Sequence, residues 1–186
     1  WNDCLNLGGG ETALVTFLHA WAIREFLEVA EPLGRAGDVA RYTAELDRIT
    51  RVADEQLWDG DWWIRGYTRD GVEIGSKKND EGRIFLEHQA WPVIAGITTQ
   101  ERGETSMDSV RELLGSEYGT HLNWPAFTKV DDTVGFVTRV YPGIKENASI
   151  FSHPNAWPII AEAVLGRGDE AVALYDSILP LSLIHI

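Results

Sequence analysis

A single cysteine, Cys4, stands among 186 residues. It has no partner for an intrachain disulfide, and a structural zinc site built on thiolates is equally excluded. A lone thiol accords with a reducing, cytoplasmic compartment. Positive charge is also scarce: 16 Lys and Arg face 29 Asp and Glu, for a formal net charge of −13. A chain of that sign repels a phosphate backbone, and no cluster of Lys and Arg makes a local exception, which argues against nucleic acid as a partner. No run of about 18 consecutive apolar residues occurs, so no segment reads as a membrane-spanning helix and no membrane partner is expected. The glycine run Gly8-Gly9-Gly10 is not followed by the lysine of a nucleotide-binding loop. No metal-ligand set is visible in the spacing of His, Cys, Asp and Glu.

What is present is ordinary for a soluble globular protein, with 44% hydrophobic and 24% charged residues, enough to bury a core in one domain or part of one. The chain opens without Met on Trp1-Asn2-Asp3 and reads as a piece of a longer protein. At the other end, Leu181-Ser182-Leu183-Ile184-His185-Ile186 back-translates to the end of a transposon adaptor used in sequencing libraries. Residues 181–186 are therefore expected not to be native, and residues 1–180 to be the domain proper.

Helical periodicity dominates. Leu14, Phe17, Leu18, Trp21 and Phe26 give residues 11–30 an apolar stripe that ends before Pro32 and Gly34. Residues 38–57 restart behind Asp38 with Val39, Tyr42, Leu46, Ile49 and Val52 on one face, a second helix antiparallel to the first across a short link. An aromatic stretch from Trp58 to Tyr67 follows, then Asp70-Gly71 between short apolar runs, the signature of a hairpin or long loop. Further helices are predicted over 86–98, 101–114, 152–165 and 168–179, with a long connection over 115–150. Connections of that length inside a domain are usually functional.

An internal repeat supports this layout. Gln89-Ala90-Trp91-Pro92-Val93-Ile94-Ala95 aligns with Asn155-Ala156-Trp157-Pro158-Ile159-Ile160-Ala161, and Arg102-Gly103 with Arg167-Gly168. Each copy reads as Trp-Pro at a helix start, a helix, an Arg-Gly turn and a second helix, so the unit is a helical hairpin. Three hairpins, at 11–57, 86–114 and 152–179, with long loops on one face, predict an all-α fold, about half of an (α/α) barrel. An open helical solenoid explains the hairpins equally well but not loops so rich in Trp and Gly.

Three groups of residues could carry chemistry. Asp3 lies beside Trp1 and ahead of the glycine run. Alone, such an Asp is a turn or capping residue; next to a sugar it could be the acid that protonates a departing oxygen. The eight Trp divide into two sets. Trp21, Trp91 and Trp157 read as core residues of helices, while Trp1, Trp58, Trp62, Trp63 and Trp124 fall in loops, where packing under a lid and stacking on a sugar are both open. Finally, Tyr141-Pro142-Gly143-Ile144-Lys145-Glu146-Asn147 and His153 set a cation, a carboxylate, an amide and an imidazole around one turn. Beside Pro154 at a helix start, His153 is on its own terms a capping or packing histidine.

Together Trp1-Asn2-Asp3, Gly8-Gly9-Gly10-Glu11, Gly82-Arg83-Ile84-Phe85-Leu86, Lys145-Glu146-Asn147 with His153 seven residues after the Glu, and Gly166-Arg167-Gly168-Asp169 resemble glycoside hydrolase family 94. These are inverting phosphorylases of cellobiose, chitobiose and related disaccharides. The resemblance runs to about Pro180 and implies the C-terminal part of a catalytic (α/α)6 barrel. It implies Asp3 as general acid, Trp1, Lys145 and Glu146 as contacts of the leaving sugar, and His153 as a contact of phosphate. It further implies disaccharide and phosphate as partners, no cofactor, no metal and a parent enzyme that can form a homodimer. Ala148-Ser149 and His88 depart from the residues usual in relatives, which bears on substrate choice. The rival readings are an inverting glycosidase, with Glu146 for instance as base, and a non-catalytic helical scaffold.

Overall fold

The computed structural model describes residues 9–179; Trp1, Asp3 and the 181–186 segment lie outside the described residues. The elements run β1 (Glu11–Thr12), α1 (Ala13–Ala30), α2 (Ala36–Gln56), β2 (Gly66–Tyr67), β3 (Glu73–Ile74), β4 (Ile84–Phe85), α3 (Leu86–Ile94), α4 (Gln100–Leu114), β5 (Gly115–Ser116), β6 (Gly119–Thr120), β7 (Asn123–Trp124), a 3₁₀ turn (Phe136–Arg139), α5 (Ser152–Val164) and α6 (Gly168–Ile178). The described residues are thus mostly helical, as expected, in three hairpins, and the strands are two residues long.

The helix starts follow local chemistry. Thr12 caps α1 by accepting from the Leu14 N–H, and Thr99 caps α4 by accepting from Arg102. Residues 11 and 12, expected to be helical, pair instead as β1, because Glu11 and Thr12 lie opposite Tyr67 and Gly66. The helix expected over 86–98 stops at Ile94. Gly96 turns the chain at φ +63°, and its missing side chain leaves room for the Arg24 guanidinium, which donates to the Ala95 carbonyl at 3.0 Å. The Trp-Pro pairs are not at helix starts. Pro92 and Pro158 sit inside α3 and α5, where each removes the N–H that would meet the carbonyl four residues back.

The helices form two layers. Helix α1 packs on α3 and α3 on α5, making a continuous inner layer, while α2, α4 and α6 each cover their own hairpin partner. Phe17, Ala20, Ile23, Ile49, Ala53 and Trp63 form one core between α1, α2 and α3. Leu86, Ala90, Val93, Met107, Val110, Leu114 and Ala161 form a second between α3, α4 and α5. Each large side chain so enclosed contributes about 1.5–3 kcal/mol relative to exposure. Beside the second core, the buried Glu162 carboxylate meets Arg111 at 2.9 Å and Arg167 at 3.0 Å, and both arginines also pair with Asp108.

All the long connections lie at one end of the inner layer. The segments before α1, α3 and α5 carry every described strand, whereas the opposite end has only the short turns 31–35, 95–99 and 165–167. Strands β1, β2 and β3 form one small sheet in which Asp70-Gly71 makes the predicted hairpin turn; β4 pairs with β7, and β5 with β6. At this sheet the backbone approach is close enough to require glycine. A Cβ on Gly10 would lie 2.3 Å from the Tyr67 carbonyl oxygen, and one on Gly66, at φ +151°, would lie 2.0 Å from that of Glu11. The glycine run beside the N-terminal motif thus seats the chain against the 58–83 loop.

Gly66 and Gly71 separate steric approach from backbone strain, since both have positive φ but Gly71 has open space around it. Gly71→Ala is expected to cost about 1 kcal/mol, and Gly66→Ala at least twice that because β1 must leave β2. Urea denaturation checks this; equal losses would mean that the close approach carries no energy.

Candidate active-site cleft

The loops are fastened to the inner helices by buried side-chain amides. The Gln89 carbonyl accepts from the Trp63 N–H at 2.8 Å, and its NH2 donates to the carbonyls of Trp63 and Phe85, each at 2.9 Å. In the next repeat Asn155 accepts from the Thr120 N–H at 2.6 Å and donates to the carbonyls of Thr120 at 2.9 Å and Phe151 at 2.8 Å. Gln89 and Asn155 are equivalent in the repeat, and so are Phe85 and Phe151. Each amide therefore acts as a neighbouring strand for one loop residue while holding the carbonyl at its own helix entry. Both side chains are buried, so loss of either would strand several backbone groups away from water.

Two further amides shape the 121–151 segment. Asn147 accepts from Phe127 N–H at 2.8 Å and donates to Phe127 and Val140 carbonyls at 2.8 and 2.7 Å. Asn123 accepts from the Ala148 N–H at 2.6 Å. Between these anchors Ile144 and Asn147 close a tight turn, with Lys145 at φ +49° and the Ser149 hydroxyl donating to the Lys145 carbonyl. In the Lys-Glu-Asn motif, then, the Asn is a buried strut that raises Lys145 and Glu146 to a turn tip.

The sequence-predicted residues separate. Glu146 is half-buried and joins Arg65, Phe85, Glu87 and Leu122 around a narrow cleft. Lys145 is exposed and does not line it. His153 is exposed in the first turn of α5, where the helix end favours an anion, with its ring edge-on to Trp157 at 5.3 Å. Periodicity and motif reasoning missed Arg65 and Glu87. The available signal was the repeat itself, because Glu87 in α3 occupies the position of His153 in α5.

Within the cleft, the Arg65 guanidinium lies 4.5 Å above the Phe85 ring and only 3% of the residue is exposed. Burial pushes the Glu87 carboxyl up, and the positive charge of Arg65 opposes that shift. Behind Glu87, His88 is packed edge-on between Phe17 and Phe85, its Nδ1 3.7 Å from a Glu87 oxygen. Its ring nitrogens have no hydrogen-bond partner among the described residues. Burial first, and Arg65 second, hold its pKa well below the ordinary histidine value.

The tryptophans are now placed. Trp62 and Trp63 are buried and Trp58 half-buried, edge-on to Trp63 at 5.1 Å, so these loop rings chiefly pack. Trp124 is exposed and tilted against His121 at 5.6 Å. Trp21, Trp91 and Trp157, expected in the core, instead form an edge-to-face row across the inner layer, with ring separations of 6.0 and 5.6 Å. Trp21 is 40% exposed, because that row follows the open face of α1, α3 and α5. A larger groove of about 660 Å³ lies on the other flank, where α4 meets Asp61, Trp62, Lys77 and Trp124. It contains none of residues 145–153, whereas the cleft bordered by Glu146 encloses only about 10 Å³. Among the described residues no group of three or more His, Cys, Asp or Glu side chains is placed to hold a metal, and no helix is long and apolar enough to cross a membrane.

The opposite shifts of Glu87 and His88 have opposite consequences for stability. Folded His88 stays neutral while the unfolded residue takes a proton near pH 6.5, so its contribution is full above that pH and is lost on acidification. Glu87, raised in the fold, contributes fully at low pH and less as pH rises through its folded value. Between pH 6.5 and 5, His88 should therefore remove up to about 1.4 kcal/mol per pH unit. His88→Leu should flatten that decline in urea titrations at pH 7, 6 and 5; parallel curves for the two proteins would contradict it.

Comparison with known proteins identifies the family. Residues 1–185 match the glycosyl hydrolase 94 superfamily, catalytic domain. Over 182 residues, 97% of the chain, it is 51% identical to an N,N'-diacetylchitobiose phosphorylase of Vibrio proteolyticus, and equally so to one of Vibrio furnissii. It is 36% identical over 185 residues to a solabiose phosphorylase of Paenibacillus borealis. The chain spans 23% of the length of each Vibrio relative and 24% of the Paenibacillus one. On this match across nearly its whole length, the chain belongs to the glycosyl hydrolase 94 superfamily, within the catalytic domain.

Proposed function

We propose that this chain is part of an inverting disaccharide phosphorylase that transfers a glycosyl group from a β-linked disaccharide to inorganic phosphate. The products are an α-sugar 1-phosphate and a free monosaccharide. The observation that carries this reading is the 51% identity over 97% of the chain to two phosphorylases of N,N'-diacetylchitobiose, which makes that disaccharide the first substrate to test. Two helical layers with every long loop at one end support a partial (α/α)6 barrel as the architecture of this reading. Val15, Phe26 and Val29 on α1, and Ile160 and Val164 on α5, leave apolar faces exposed where further helices of a ring would pack.

In this reading Asp3 is the general acid, giving its proton to the departing glycosidic oxygen. Phosphate attacks the opposite face of the anomeric carbon, so no second carboxylate is needed to activate water. His153 holds that phosphate, and two features support it: the exposed imidazole and the positive end of α5. Trp1, Lys145 and Glu146 shape the site of the leaving sugar. Glu146 suits that task because it borders a cleft with a buried arginine.

The test is made in the complete enzyme that contains this chain. Asp3→Asn keeps the shape and removes the proton, so cleavage should fall by roughly 10²–10⁴-fold. His153→Ala should chiefly raise KM for phosphate, by about 10- to 100-fold, since a charge-assisted contact to the nucleophile is lost. Sugar 1-phosphate formation followed against phosphate concentration separates the two effects. Near-parental turnover of Asp3→Asn would remove the general acid, and free-sugar release at the same rate without phosphate would make the enzyme a glycosidase.

A further inference from the structure

We propose that Glu87 is a further contact of the leaving sugar, sharing the hydroxyls of that ring with Glu146; this rests on the phosphorylase reading. Two observations converge on it, the position of Glu87 in the repeat and its place in the cleft. The repeat places Glu87 at the same point of α3 that His153 holds in α5, the first turn of an inner helix at the end where all the long loops gather. Glu87 and Glu146 come from segments far apart in sequence yet border one cleft. Finally, Glu87 is 6% exposed but faces that cleft beside a buried guanidinium, so its position is more than that of a solvated first-turn acid.

The chemistry suits a neutral polyol. A carboxylate accepts hydrogen bonds from hydroxyls, and two carboxylates bordering a cleft of about 10 Å³, too small to enclose a ring, can meet neighbouring hydroxyls of a pyranose that lies across its mouth. Arg65 supplies the counter-charge that makes a buried carboxylate tolerable, and it is itself held over Phe85. An anionic group would be repelled by the pair, which separates this subsite from the phosphate position at His153. Glu87 takes no part in bond making; it binds and orients the ring that departs.

The experiment is kinetic and uses the complete enzyme in the synthetic direction, with sugar 1-phosphate and free N-acetylglucosamine or glucose as acceptor. Glu87→Gln is close to isosteric and should raise KM for the acceptor about 10- to 100-fold, leaving KM for sugar 1-phosphate within about twofold. Glu87→Asp should recover part of the loss, which a merely structural role would not. An unchanged acceptor KM in a folded Glu87→Gln enzyme overturns the proposal, and so does an equal rise in both KM values. Calorimetric titration of the free monosaccharide into parent and Glu87→Gln tests the contact without turnover. Failure of the phosphorylase reading shows in the parent itself, as turnover independent of phosphate. Weaker monosaccharide binding by Glu87→Gln would then still uphold the subsite, and equal binding would reject it.

Discussion

The arrangement rests on one kind of interaction, a buried side-chain amide bonded to loop backbone. Gln89 and Asn155 each satisfy both polar groups of one loop residue and the carbonyl that opens their own helix. Each bond contributes only about 0.5–1.5 kcal/mol net, yet an amide removed would leave buried donors and acceptors unpaired at about 1–3 kcal/mol each. That asymmetry fixes the loops. Long polar segments without regular structure could not otherwise lie against an apolar helical layer. Asn147 and Asn123 extend the same device outward, so that Glu146 meets Glu87 across the cleft through a chain of amide contacts beginning on α3 and α5.

The electrostatics follow from this geometry. The chain carries 13 more formal negative than positive charges, so an anion such as the phosphate of the proposed reaction needs local relief from the general sign. The inner helix ends provide it in part, since their N-terminal dipoles all point to the loop side. Arg65 serves a different end: buried in the cleft, its charge offsets that of the Glu87 carboxylate beside it. The same burial has a cost, visible in the raised Glu87 and the depressed His88. A cleft that holds two acids and one arginine, with a buried histidine behind it, is poised for polar contacts at some expense in stability.

Much of this could be read in the sequence, and the reasons for the remainder are physical. Apolar periodicity marked α1 and α2, where an apolar stripe faces the core, and the repeat of Gln89-Ala90-Trp91-Pro92 with Asn155-Ala156-Trp157-Pro158 marked the later hairpins. Apart from the hairpin at Asp70-Gly71 the short strands escaped notice: a two-residue pairing such as Ile84 with Trp124 depends on a partner 40 residues away, not on local pattern. Trp62 and Trp63 could not be divided between packing and sugar contact, since the clusters that bury them draw on residues distant in sequence, Ile84 and Leu86 for Trp62 and Phe17 and Ala20 for Trp63. Glu87 was hidden for a similar reason. Nothing in Leu86-Glu87-His88 separates a solvated first-turn acid from one turned into a cleft, and only the equivalence with His153 distinguishes them.

Native-state hydrogen exchange in Asn155→Leu tests the dependence of the cleft on the amide clamps most directly. If the clamp holds the loop, the amides of Thr120, Leu122 and Ala148 lose protection together, while those of Phe17 and Ile23 in α1 keep theirs. Exchange that rises evenly through α1 and the loop, or loop amides that stay protected without Asn155, would show that the loops are held by something else.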